Sequence, residues 1–287
     1  MIRTLQFTVD SDFEGKKLLS FLRARAGLSS RLINKLKQCP DGMLCNGVHI
    51  RTIDRIHTGD ILTVNIPSES AKSELSDLPL DIVYEDDDVL VINKPFSLAM
   101  HESHNHRGDT LANAVAGYLS KSGKDGTFRA VGRLDKDTSG LVVCALHAYS
   151  AAALSGKVEK TYLAVAEGIF EGSGTIDKRI YRPDPMKTLR AAGDSGEIAV
   201  THWKALWHDS IHTLLEIQLE TGRTHQIRVH FSSLGAPLAG DEMYGGSREY
   251  ISRQALHCTR VEFTHPVSGE RLCFTAEMPE DMKKLVE

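Results

Sequence analysis

Hydrophobic residues recur along the first part of the chain in two helical stripes. Residues 15–27 place Leu18, Leu19, Leu22 and Ala26 on one face and close on Gly27, the pattern of a short amphipathic helix. Ser29 then stands where an N-cap belongs, before a second helix that turns Leu32, Ile33 and Leu36 inward. Asp41-Gly42 and Asn46-Gly47 are turn signals around two short apolar runs, 43–45 and 48–50, and Gly59-Asp60 leads into a last strand over 61–66. Residues 67–79 (PSESAKSELSDLP) lack any apolar period and read as a linker. Beyond it strands and helices interleave. Segments 82–84 and 89–92 flank the acidic turn 85–88 as a hairpin, and 110–119 reads as a helix with Leu111, Val115 and Leu119 four apart. Segments 141–145, 162–166 and 213–219 are strands, and Thr224 is expected to cap a helix that runs to Leu234 and stops at Gly235. The order predicts an α+β domain around a mostly antiparallel sheet over 80–287, preceded by a small α+β domain over 1–66.

Composition narrows the class. The chain has 287 residues, 25% of them charged and 41% hydrophobic, which is ordinary for a soluble globular protein. No apolar run approaches a membrane span, and the first residues alternate without a signal-peptide block, so a cytoplasmic protein without a membrane partner is expected. The five cysteines form no CxxC pair, which argues against a disulfide framework and a cysteine-based zinc site.

A net charge of −4 gives no hint of nucleic acid, so its distribution matters more. Between Lys16 and His57 nine Lys or Arg residues face two acids, Asp41 and Asp54. Arg31 and Lys35 stand one helical turn apart on the outer side of the second helix, with Lys37 nearby. Two basic helices followed by a hairpin make a compact surface for phosphates. This order resembles the S-four type of RNA-binding domain, which implies RNA contacts by Arg31 and Lys35.

The sharpest chemical signal is the loop Gly132-Arg133-Leu134-Asp135-Lys136-Asp137-Thr138-Ser139-Gly140, just before a strand. Alone, it reads as a charged turn held by its Asp and Thr side chains. It resembles, however, the catalytic loop of RluA/RluD-type pseudouridine synthases, written HRLDxxTSG. Three further segments agree in order: Asn93-Lys94-Pro95 with His101 and Gly108-Asp109-Thr110-Leu111; Lys160-Thr161-Tyr162-Leu163-Ala164; and residues 221–230 (TGRTHQIRVH) with Gly235, Pro237, Gly240-Asp241 and Tyr244-Gly245. The resemblance covers roughly residues 80–280, with Gly132 in place of the usual histidine.

The resemblance implies that the chain isomerises uridine to pseudouridine in a structured RNA, with Asp135 as the catalytic carboxylate. Ribosomal RNA of the large subunit is favoured and transfer RNA remains open. Moving uracil from its nitrogen to a ring carbon breaks one glycosidic bond and makes another. A carboxylate can serve by attacking the anomeric carbon, by stabilising its positive charge, or by removing a neighbouring sugar proton. The reaction is redox neutral, so no cofactor and no metal are expected. A buried carboxylate needs a cation, for which Arg228 is the first candidate and Arg223 the second, Arg223 otherwise meeting an RNA phosphate. Tyr162 offers a ring on which uracil stacks, and Lys160 beside it joins the RNA-binding set. The base must leave the helix stack to react, and by resemblance Arg133 fills its place.

Two rival functions stay in view: an RNA-binding ribosome-assembly factor whose chemistry is dispensable, and a glycosylase that releases uracil. The histidines at 101, 104 and 106 read as a solvated loop, and His208 and His212 as surface or packing residues. Residues 85–88 read as a solvated turn, with magnesium association as the alternative. A monomer is expected.

Overall fold

The computed structural model describes residues 3–67, 73–103, 106–124 and 126–287. At the front lie β1 (Arg3–Thr8), α1 (Leu18–Ala24), α2 (Ser30–Leu36), β2 (Met43–Cys45), β3 (Val48–His49) and β4 (Ile61–Ile66). The strands form one antiparallel sheet in the order β1-β4-β2-β3. Alternation puts Leu62, Val64 and Ile66 of β4 on the core side, where they meet Leu18, Phe21, Leu22, Leu32, Ile33 and Leu36 of the helices. Ser29 caps α2 as expected, its hydroxyl accepting from Leu32 N at 3.2 Å. Helix α1 begins later than residue 15, because Gly15 turns at φ 66° and Lys17 bridges Arg55. Strand β1 went unread in the sequence, where its alternation was noted only as unlike a signal peptide.

The larger part contains β5 (Ile82–Glu85), β6 (Val89–Lys94), α3 (Leu111–Lys121), β7 (Arg129–Ala130), β8 (Ser139–Ala145), α4 (Ala148–Leu154) and β9 (Glu159–Glu167). It continues with β10 (Ser173–Asp177), β11 (Arg179–Tyr181), β12 (Ala191–Gly193), β13 (Val200–His208), β14 (His212–Leu219), α5 (Gln226–Ser232), β15 (Leu256–Thr264), β16 (Arg271–Thr275) and α6 (Glu280–Lys283). Among the described residues, ten of these strands make one sheet, ordered β10-β13-β14-β9-β15-β8-β6-β5, with β16 on β15 and β7 on β8. Among these described strands only β15 and β8 pair in parallel, through His257 with Ser139 and Cys258 with Gly140. The fold class is therefore α+β around a mostly antiparallel sheet. Gly140 has φ 110°, and a Cβ there would lie inside the backbone of Cys258. The glycine that ends Thr138-Ser139-Gly140 is thus what lets β8 approach β15.

Two expectations need correction. Thr224 does not cap the last predicted helix: His225 does, in a left-handed conformation, and α5 ends at Ser232, two residues short of Leu234. Nor is the turn 85–88 a solvated one throughout. Asp88 is 2% exposed. It accepts from Arg3 Nε at 2.8 Å and lies 2.5 Å from His147 Nε2. Burial would raise its pKa, but His147 and Arg3 outweigh it and hold the carboxyl down at about 2. Beside it, Asp86 meets His265 Nε2 at 2.8 Å, and His265 Nδ1 accepts from Ser268 N at 3.0 Å. That bond places the proton of the neutral imidazole on Nε2, which lies near Asp86 but makes no hydrogen bond to it.

The front sheet and the large sheet touch here. Tyr149 of α4 completes the front core, and the Arg3–Asp88 pair ties β1 to the β5–β6 turn. Of the expected linker, residues 68–72 lie outside the described residues; Ser76 runs along α3, donating to Asn113 O at 3.2 Å. Among the described residues no helix is long and apolar enough to cross a membrane.

Candidate active site

The Asp135 loop joins β7 to β8 and is held from beneath by groups far apart in sequence. Lys94, at the end of β6, is fully buried, and its ammonium donates to Lys136 O at 2.9 Å, Pro95 O at 2.8 Å and Leu98 O at 3.0 Å. Burial brings its pKa down to about 7, against the pull of Asp137 and Asp135. Arg253 reaches Asp137 O at 3.3 Å, and Gln254 donates to Thr138 Oγ1 at 3.2 Å. Ser139 Oγ pairs with His257 Nδ1 at 2.9 Å, and burial pushes His257 down to about 4, so that ring is neutral near pH 7. Each residue from 136 to 139 therefore has a fixed partner. Asp135 is left at the loop's open face.

The carboxylate faces Arg228 of α5. Arg228 Nη1 lies 3.1 Å from Asp135 Oδ2, while Nε and Nη2 each lie 2.7 Å from an oxygen of Asp241. Burial works against the Arg228 charge, but Asp241 first and Asp135 second hold it. The guanidinium also stacks on the Tyr244 ring, 4.9 Å from its centroid. Of the two arginines considered, Arg228 is the one beside Asp135. Arg223 instead pairs with Glu197 at 3.0 Å and donates to Ile198 O at 3.0 Å.

A cleft of about 1260 Å³ opens over this pair, and Asp135, Arg133, Lys160, Tyr162, Arg223 and Arg228 all line it. Tyr162 is buried at the floor of the cleft, and burial, then nearby Cys258 and Asp135, raises its pKa well above the ordinary value. Its hydroxyl stays protonated at neutral pH. Arg133 is exposed at the loop. Gly132 has φ 79°, and a Cβ there would come within 3.1 Å of Lys160 Nζ. The backbone that this chain adopts at 132 therefore suits glycine where the resemblance would place histidine.

Arg31 and Lys35 do not line the cleft; the front sheet's unit sends Arg25 and Gly27 to it instead. Sequence reasoning also missed Asp241, His225 and Tyr244 as members of the site. Asp241 and Tyr244 stood in the quoted Gly240-Asp241 and Tyr244-Gly245 segments, but nothing in their spacing linked them to Arg228. Of the 101–106 histidines, His104 lies outside the described residues, His101 lines the cleft and His106 pairs with Asp109 at 2.8 Å.

The family profile described as RNA pseudouridylate synthase matches residues 88–233. The uncharacterized RNA pseudouridine synthase YjbO of Bacillus subtilis strain 168 is 39% identical over 269 residues, covering 91% of this chain and 95% of that one. The chain belongs to the RNA pseudouridylate synthase family. It is thus an RNA pseudouridine synthase, and RNA is its partner. Ribosomal large subunit pseudouridine synthase D of Escherichia coli O157:H7 is 38% identical over 267 residues, 86% of this chain and 81% of that one. Among solved structures, human RNA pseudouridylate synthase domain containing 1 superposes with a TM-score of 0.57 at 28% identity, covering 69% of this synthase and 83% of that chain.

Proposed function

We propose that this synthase converts uridines of large-subunit ribosomal RNA to pseudouridine, with Asp135 as the catalytic carboxylate. The observation that carries the assignment is the contact of Asp135 with the doubly anchored Arg228 at the base of a cleft lined by cations. The ribosomal substrate is supported by the named activity of the E. coli relative. Arg228 holds the carboxylate by an ion pair at 3.1 Å. Asp135 then acts at the sugar by one of three routes: attack on C1′, stabilisation of its charge, or removal of an adjacent sugar proton. The N1–C1′ bond breaks and uracil leaves as an anion. It turns, C1′–C5 forms, the C5 proton departs and N1 takes a proton, so atoms and charge balance without an oxidant or metal.

Tyr162 is the platform for the flipped base, and its protonated hydroxyl faces the same space. Arg133 enters the RNA stack from the loop tip. Lys160 and Arg223 meet phosphates, Arg223 exchanging Glu197 for the RNA. Residues 1–66, with Arg31 and Lys35 on the outer face of α2, form an S-four-like RNA-binding domain, 67–79 the linker, and 80–287 the catalytic domain. The reading includes a cytoplasmic monomer, checked by light scattering and fractionation. Asp135→Asn tests the core of it. The variant should bind RNA as the parent does and form no pseudouridine; substantial turnover would sink the assignment. Free uracil and abasic sites in the products would favour hydrolysis over isomerisation.

A further inference from the structure

His225 takes part in no step above, yet three features single it out. Its backbone is left-handed, at φ 57° and ψ 22°. Such a conformation is unfavourable for a residue with a side chain and persists only where its surroundings impose it. Gln226 imposes it here. Its amide oxygen accepts from Thr221 Oγ1 at 2.9 Å and Arg223 N at 3.0 Å, and its amide nitrogen donates to Val200 O at 2.9 Å, locking the turn 221–225 against β13.

The second feature is the ring's tautomer. Tyr244 Oη accepts from Arg190 N at 3.0 Å and lies 2.8 Å from His225 Nδ1. When Tyr244 Oη donates its proton to Nδ1, the neutral imidazole carries its own on Nε2. The third is direction. Nε2 lies 3.8 Å from Asp135 Oδ2, the same oxygen that Arg228 Nη1 reaches at 3.1 Å, and 11% of the His225 side chain is exposed.

We propose that His225 is a positioning residue for Asp135: a neutral imidazole whose Nε2–H closes onto Oδ2 when RNA fills the cleft. With Arg228 it fixes one carboxylate oxygen and presents the other, Oδ1, to the sugar. The inference rests on Asp135 being the catalytic carboxylate. Closing the gap to hydrogen-bond length takes a movement of about 1 Å. Charges meet the ring from every side: Asp135 from its loop, Arg228 from α5, Asp241 from the following turn and Arg190 from the strand β12 hairpin. Burial dominates and keeps the ring below its ordinary pKa, while Asp135 and Asp241 oppose and Arg228 and Arg190 assist. The ring is thus neutral at working pH. Protonating the ring would set a second cation against Arg228.

The test uses the full-length protein and a large-subunit ribosomal RNA transcript, converted by the parent, that carries tritium at uridine C5 and releases it as the new bond forms. Single-turnover rates against pH, RNA affinity and thermal unfolding are measured for His225→Ala, His225→Asn, Tyr244→Phe and Asp135→Asn. Loss of His225 should slow the step at saturating RNA roughly 10- to 100-fold. Affinity should be unchanged. The acid limb of the profile should move to higher pH, because a donor that favours the ionised carboxylate is gone. Asparagine tolerates the left-handed backbone and keeps an N–H, so it should recover part of the rate and of the profile. Tyr244→Phe should shift the rate and profile in the same direction by less, and with His225→Asn it carries the test if the alanine variant does not fold. An unchanged rate, a loss confined to affinity, or a slower rate with an unmoved profile would overturn the proposal while Asp135→Asn stays inactive. An active Asp135→Asn would instead overturn the catalytic reading, and the His225 proposal with it.

Discussion

Arg228 serves two carboxylates, and its substitution should report both. Arg228→Met leaves Asp135 and Asp241 without their cation in a pocket that excludes most water. Breaking a buried pair in this way costs about 3–5 kcal/mol, so urea unfolding should show a loss of that size. Activity should fall sharply in single-turnover assays at saturating RNA, since the carboxylate loses the group that orients it. Arg228→Lys keeps the charge but not the two-pronged grip on Asp241, and should fall between the two in stability. Arg223 predicts a different signature. Its partner is the exposed Glu197, so Arg223→Met should leave folding stability within about 0.5 kcal/mol of the parent. If it meets a phosphate, RNA binding should weaken and the salt slope drop by about one.

At the scale of elements, the Asp135 loop is shaped by two glycines and one buried lysine. Gly140→Ala would put a methyl group inside the Cys258 backbone at the parallel β8–β15 junction. It should cost about 3 kcal/mol or more and abolish activity, because the strand that carries the loop must move. Gly132→Ala meets only the end of a flexible lysine, at an unfavourable φ. A loss of about 1 kcal/mol with activity retained is expected from urea titration and rate measurement. Lys94 supplies a pH test. Its folded pKa is depressed to about 7 from an ordinary 10.5, so above pH 7 the unfolded chain holds the proton longer than the folded one. Stability relative to Lys94→Met should therefore be flat below about pH 7 and rise towards pH 10. A flat difference across that range would mean that the three carbonyls keep the ammonium charged throughout.

For the whole molecule, the contact between the two sheets is the point of leverage. Deleting residues 1–66 removes the basic helices, so RNA affinity should drop and its salt dependence flatten. The deletion also strips Arg3 from Asp88 and uncovers Tyr149. The remaining domain should unfold at a lower temperature than the full chain, not merely bind less. Asp88 gives the pH signature of the same contact. Its pKa lies at about 2 in the folded protein against 3.8 ordinarily, so its contribution is complete above about pH 4 and lost as pH falls through 2. Asp88→Asn should be less stable than the parent at pH 7, with the difference vanishing towards pH 2 in thermal melts.

Apolar periodicity by itself determined the helices α2 and α3, the strands β4, β6 and β8, and the α+β class, because burial on one face imposes a repeat that survives without neighbours. Motif order determined the family, and it singled out Asp135 and Arg228 although 93 positions separate them. Strand β1 is six residues long and went unread because it is stabilised by pairing with β4, 53 residues away at its nearer end. The capping of α5 also lay beyond local rules. Thr224 has the right side chain for a cap, yet Gln226 binds the turn to β13 and gives the position to His225. Only the tertiary structure decided that Asp88 is buried, that Asp241 shares Arg228, and that Lys94, Arg253 and Gln254 hold the Asp135 loop from below. The physical reason is the same in each case. A side chain's chemistry is written at its own position, but its charge state and its partners depend on groups that the fold brings to it.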